Sequence, residues 1–160
     1  MTAAMPARIE ERSSHGPTPL AARLEWAGFA PLQPPQTPEP VVAIARDEQH
    51  GDLMDFFWAA VARGELSQRV LDLTGEIILQ LNSSNYSVWE WRWRCVGALG
   101  GPAAHAAEEK ALMRVVAAEN PKNYQLWNAR RRLALALGPE VAEEVGWEGA
   151  WGYEGHVRRG

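Results

Sequence analysis

The chain has 160 residues, 46% of them hydrophobic, enough for one domain with a real core. Its 16 basic and 20 acidic residues leave a formal net charge of −4, which argues against a nucleic-acid-binding protein. A single cysteine, Cys95, excludes an internal disulfide and points to a reducing, cytoplasmic setting. The four histidines, His15, His50, His105 and His156, have no ligand-like spacing, so no metal site is expected within the chain. No apolar run approaches the roughly 20 residues of a membrane span, and the N-terminal stretch lacks the apolar centre of a signal peptide.

In chain order, residues 1–22 are polar, small and dotted with Pro and Gly, and read as a disordered tail. Residues 23–51 read as an extended connector, because Pro31, Pro34, Pro35, Pro38 and Pro40 resist helix at and before each proline. Residues 52–145 read as helical. Leu53, Phe56, Phe57, Ala60 and Val61 recur at i, i+3, i+4, i+7 and i+8, which is one helix face. Gly64 ends that helix and Ser67 is placed to cap the next. Val70, Leu73, Ile77 and Leu81 then share one face, and Tyr86, Trp89 and Trp93 share another. Residues 146–160 form a divergent tail, interrupted by five glycines and carrying Trp147 and Trp151, which read as either a solenoid cap or disorder.

Within the helical region the chain repeats itself. Asn82-x-x-Asn85-Tyr86-x-x-Trp89-x-x-Arg92 recurs as Asn120-x-x-Asn123-Tyr124-x-x-Trp127-x-x-Arg130, a step of 38 residues. Each copy is long enough for two helices and ends in Leu-Gly, the mark of a helical-hairpin solenoid. The expected fold is all-α, an α–α superhelix. Trp89-Glu90-Trp91-Arg92-Trp93 alternates like a strand, but the aligned Trp127-Asn128-Ala129-Arg130-Arg131 does not, so helix is preferred. Positions shared by both copies should serve the repeat itself. Asn85 and Asn123 fit as N-caps, Trp89 and Trp127 as packing residues, and Arg92 and Arg130 as buried donors to loop carbonyls. One further step would place a third signature at position 161. Without a following hairpin, Leu126, Leu133, Leu135 and Leu137 are expected to leave part of an apolar face bare.

The signature is specific. Asn85-Tyr86-Ser87-Val88-Trp89 and Pro121-Lys122-Asn123-Tyr124-Gln125-Leu126-Trp127, each followed by its Arg, resemble the α subunits of protein prenyltransferases. The likeness is greatest to the α subunit shared by protein farnesyltransferase and geranylgeranyltransferase type I. It extends upstream through Glu25-Trp26, the prolines, Pro40-Val41-Val42 and Asp55-Phe56-Phe57, and covers roughly residues 23–145. Two features depart from the family: Trp93 stands where a second Arg is frequent, and repeats after the second are missing, as in a truncated form.

The resemblance implies a subunit that works in a heterodimer with a β subunit. The pair transfers a prenyl group from its diphosphate to the cysteine of a C-terminal C-a-a-X motif. Zinc on the β subunit activates the thiol and magnesium helps neutralise the diphosphate, so no cofactor is expected on this chain. Lys122 is the implied catalytic residue. It aligns with Ser84, and a cation beside a helix N-terminus opposes the macrodipole, so the fold itself does not ask for it. An ammonium there would stabilise charge growing on the departing diphosphate. Tyr86 and Tyr124 are implied beside the peptide and lipid, or else pack within the repeat. Gln125, aligned with Ser87, is implied to donate to the C-a-a-X carboxylate. Cys95 aligns with Leu133 and reads as a buried small residue rather than a nucleophile. Three alternatives remain: a Rab geranylgeranyltransferase α subunit, a non-catalytic helical scaffold, and a short form that competes for the β subunit.

Overall fold

A computed structural model describes residues 18–32 and 47–144. Among these residues the secondary structure is helical, with no strand. Helix α1, Glu48–Ala62, begins where the Asp47 carboxylate accepts from the His50 amide at 3.0 Å. It stops at Gly64, whose φ of 66° is a left-handed turn that favours glycine. Helix α2, Gln68–Gln80, follows Ser67. Ser67 holds the cap position, but its hydroxyl donates to Glu65 Oε1 at 2.7 Å and does not cap. Helices α3, Tyr86–Ala98, and α5, Tyr124–Leu137, carry the two signatures. Between them lies α4, Pro102–Glu119, with proline in its first turn, where a missing N–H costs nothing. A short α6, Pro139–Glu144, follows Gly138.

The tryptophan string is helical, within α3. There Trp91 leaves the signature face, and its indole donates to the Glu65 carbonyl at 3.1 Å. Helix α2 packs on α3 and α4 on α5, giving two stacked hairpins. One core runs through them. It joins Leu53, Phe56 and Phe57 of α1 to Val70, Leu73 and Ile77 of α2, and to Val88, Cys95 and Val96 of α3. Leu112, Met113 and Val116 of α4 and Leu126 and Leu133 of α5 complete it.

The N-terminal segment departs from its expected tail and connector. Leu20–Ala22 and Leu24–Trp26 form 3₁₀ turns, and Leu20 and Trp26 are buried in the core. Polar contacts hold them there. The Leu20 amide donates to Asp52 Oδ2 at 2.8 Å, and Arg23 grips Glu76 with two bonds of 2.7 and 2.8 Å. Trp26 meets Phe29 and Phe56 edge-on, at 4.9 and 5.2 Å between ring centroids. Helix α1 also begins at Glu48, earlier than the apolar period suggested, because Asp47 caps it through a polar first turn. Residues 1–17 of the expected N-terminal tail, residues 33–46, with Pro34, Pro35, Pro38 and Pro40 of the connector, and the tail 146–160 lie outside the described residues.

The apolar end is covered more than expected. Leu126 and Leu133 are fully buried and Leu137 packs on the core, so only Leu135 is exposed. The reason is helical phase. Positions 126, 133 and 137 face inward along α5, and 135 falls on the other side.

Candidate functional site

The shared signature residues lock each hairpin's entry loop. In both copies the tryptophan indole donates to the carbonyl six residues before it, Trp89 to Ser83 at 2.8 Å and Trp127 to Pro121 at 3.0 Å. Both asparagines cap as predicted. Asn85 accepts from the Val88 amide at 3.3 Å, and Asn123 from Gln125 and Leu126 at 2.9 and 3.2 Å. Asn123 does more. Its amide donates to the Ser83 carbonyl at 2.7 Å and the Ser83 hydroxyl at 3.1 Å, tying the start of α5 to the loop before α3. The Ser83 carbonyl thus accepts twice, once from its own hairpin and once from the next.

Arg92 is buried, and its partners differ from the loop carbonyls expected. Its Nε and Nη2 donate to Glu109 at 3.2 and 2.6 Å. Its Nη1 donates to the Leu71 carbonyl within α2 at 2.9 Å and to Thr74 Oγ1 at 3.2 Å. The pair is charge-assisted and bidentate, which offsets the cost of burying both ions. Sequence reading missed Glu109, although a signal was present. Glu109 lies on the stripe of Leu112, Met113 and Val116, at i, i+3, i+4 and i+7, and an acid on an apolar stripe calls for a buried cation. Arg132 of α5 also bridges to Glu90 of α3 at 2.7 Å.

These contacts enclose a cleft of about 20 Å³, room for roughly one water. Tyr86, Trp89, Arg92, Trp93, Glu109 and Gln125 are among its walls. Two implied site residues, Tyr86 and Gln125, therefore meet there. Lys122 and Tyr124 lie outside it. Lys122 is exposed in the turn before α5 and makes no hydrogen bond or ion pair among the described residues. Tyr86 is 59% and Tyr124 87% exposed, so neither packs in the core. Arg130, the counterpart of Arg92, stands over the Trp127 ring at 4.9 Å, and its Nε is buried without a hydrogen-bond partner. Burial lowers its pKa from the ordinary arginine value. Cys95 is fully buried, and desolvation pushes its thiol up to about 11, against a smaller opposing effect of Arg92. Such a thiol does not act as a nucleophile at neutral pH.

Among the described residues no group of three or more His, Cys, Asp or Glu is arranged to hold a metal ion. None of the described helices is long and apolar enough to cross a membrane.

The pattern of the protein prenyltransferase alpha subunit repeat matches residues 106–137. The chain is similar to the protein farnesyltransferase/geranylgeranyltransferase type-1 subunit alpha of several organisms. It is 46% identical to that of Arabidopsis thaliana over 81 residues, covering 51% of this chain and 24% of the relative. It is 43% identical to that of Solanum lycopersicum over 104 residues, covering 65% of this chain and 29% of the relative. The chain thus spans only about a quarter of the length of these curated relatives. Its fold resembles a chain of Candida albicans protein geranylgeranyltransferase-I complexed with GGPP, with a TM-score of 0.54 and 22% identity, covering 80% of this chain and 40% of that one. The chain is thus similar to protein prenyltransferase alpha subunits, and residues 106–137 match the repeat of that family.

Proposed function

We propose that this chain is the N-terminal portion of the α subunit of a heterodimeric protein farnesyltransferase/geranylgeranyltransferase type I in the cytoplasm. The observation that carries the reading is the Pro121-Lys122-Asn123-Tyr124-Gln125 string. It sits in the matched repeat of a chain 43–46% identical to such α subunits. In the proposed reaction a C–S bond forms between the substrate cysteine and the prenyl carbon, the C–O bond to diphosphate breaks, and the thiol loses its proton. Lys122 holds its ammonium where diphosphate charge grows. Gln125 donates its amide N–H to the terminal carboxylate of the C-a-a-X protein. Tyr86 and Tyr124 offer exposed aromatic faces to the peptide and lipid. A cleft with room for one water cannot itself take a prenyl chain, so the lipid site is completed by the β subunit. The donor groups of the described residues do not fit zinc, which the reading assigns to that partner. When bound there, zinc supplies the substrate thiolate, and magnesium neutralises diphosphate.

Purification with and without a farnesyltransferase β subunit tests this. The expected result is co-elution with the β subunit and no transfer of labelled prenyl diphosphate to a C-a-a-X peptide by this chain alone. Turnover by the lone chain would refute a subunit role, and failure to bind any β subunit would favour a scaffold. In a prenyltransferase whose α subunit carries this repeat, Lys122→Ala is expected to slow the single-turnover rate by about 10²–10³. Peptide affinity is expected to change little. An unchanged rate with weaker peptide binding would remove Lys122 from the leaving-group site.

A further inference from the structure

Two arginines line the cleft between α3 and α5, and their states differ. The buried Arg92 is saturated by four bonds to Glu109, Leu71 and Thr74. Arg132 is not. Its side chain is 31% exposed, and among the described residues only its Nη1 is bonded, to Glu90 Oε2 at 2.7 Å. Glu90 is itself shared, because its Oε1 faces Arg94 Nε as an ion pair at 3.7 Å. One 38-residue step aligns Glu90 with Asn128 and Arg94 with Arg132. The repeat therefore keeps the arginine and does not require the acid.

The α5 wall of the cleft is a file of donors. Gln125, Asn128 and Arg132 recur at i, i+3 and i+7 on one face of the helix, and all three line the cleft. Long side chains on a helix lean towards its N-terminus, which lets Arg132 share one small cleft with Gln125 two turns before it. The side-chain amides of Gln125 and Asn128 make no hydrogen bond among the described residues.

We propose that Arg132 is a further binding residue for the terminal carboxylate of the C-a-a-X protein, and that Glu90 competes with that carboxylate for it. The inference rests on the role given to Gln125 in the proposed function. A carboxylate has two oxygens with about four lone-pair sites, more than one amide N–H satisfies. The unbonded edge of the Arg132 guanidinium supplies the charge-assisted fork that matches it. Binding then exchanges one carboxylate for another. Arg132 turns to the peptide terminus and Glu90 stays with Arg94, so each charge keeps a counter-ion. A peptide without a terminal charge gives Arg132 no reason to leave Glu90, so the exchange favours the free acid.

The test is steady-state kinetics in a prenyltransferase complex whose α subunit carries this repeat. Two C-a-a-X peptides are compared, one ending in the free acid and one in the amide. Glu90→Gln should lower KM for the acid by about 2–5-fold, the worth of a partly exposed bridge, with kcat and the amide peptide unchanged. Arg132→Met should raise KM for the acid by about 10–100-fold, leave the amide peptide unchanged and abolish the gain from Glu90→Gln. Arg132→Lys should recover part of the preference for the acid. A higher KM in Glu90→Gln, or an equal shift for both peptides, would make the bridge a structural tie and overturns the proposal. So does an Arg132→Met complex that binds the acid as the parent does. Glu90→Gln decides by itself where Arg132→Met does not assemble. A parent complex that transfers to neither peptide overturns the subunit reading and this role with it. Failure of the variants in a working complex overturns this role alone.

Discussion

Gly75 of α2 faces the buried guanidinium of Arg92, and a Cβ there would stand 3.2 Å from Arg92 Nη1. In an open helix Gly→Ala gains about 0.5–1 kcal/mol. Here Arg92 is fixed by four bonds and cannot retreat without stretching those to Leu71 and Thr74, and hydrogen bonds to charged groups are worth about 1.5–3 kcal/mol. Gly75→Ala is therefore expected to destabilise by about 1 kcal/mol in urea titration. A gain in stability would show that Arg92 has slack. Cys95 gives a pH signature. Its thiol is held up to about 11 by burial, whereas an unfolded thiol titrates near 8.5. The folded state keeps the proton longer, so this contribution is whole below about pH 8.5 and is lost as pH rises towards 11. Stability should fall across that window, and Cys95→Ala should flatten the slope. A disulfide reagent that labels native Cys95 promptly at pH 8 would contradict the burial.

At the scale of elements, the two asparagine caps look equivalent in sequence and are not equivalent in the fold. Asn85 accepts one backbone bond. Asn123 accepts two and donates two more to Ser83, so it holds α5 and also fastens one hairpin to the other. Asn85→Ala is expected to cost about 1 kcal/mol, the usual worth of a cap. Asn123→Ala should cost about 2–3 kcal/mol, since the hairpin tie is lost with the cap. Chemical denaturation of the two variants compares them directly, and equal losses would mean that the Ser83 contact contributes nothing.

For the whole molecule, a stack of hairpins passes stability mainly between neighbours. Trp26 closes one end, with Phe29 and Phe56 against its ring and the Arg69 guanidinium 4.8 Å above it. Trp26→Ala is expected to cost about 3–5 kcal/mol. Its effect on amide hydrogen exchange should be graded, fastest in α1 and α2 and small in α4 and α5. Uniform acceleration along the chain would show a single cooperative unit instead.

The sequence by itself determined the helical hairpins, their 38-residue step and the asparagine caps, because these rest on short-range physics. A cap reaches two or three residues, and an apolar face repeats within a turn, so both can be read along the string. Tertiary structure alone decided that Leu20 and Trp26 belong to the core and that Glu109 answers Arg92 from 17 residues away. It also brought Gln125 and Tyr86 to one cleft while leaving Lys122 and Tyr124 on the surface. Those outcomes depend on the angle and phase at which helices stack. The same side chain, arginine at the same place in two copies, finds a buried carboxylate in one copy and an aromatic ring in the other, according to what packs beside it.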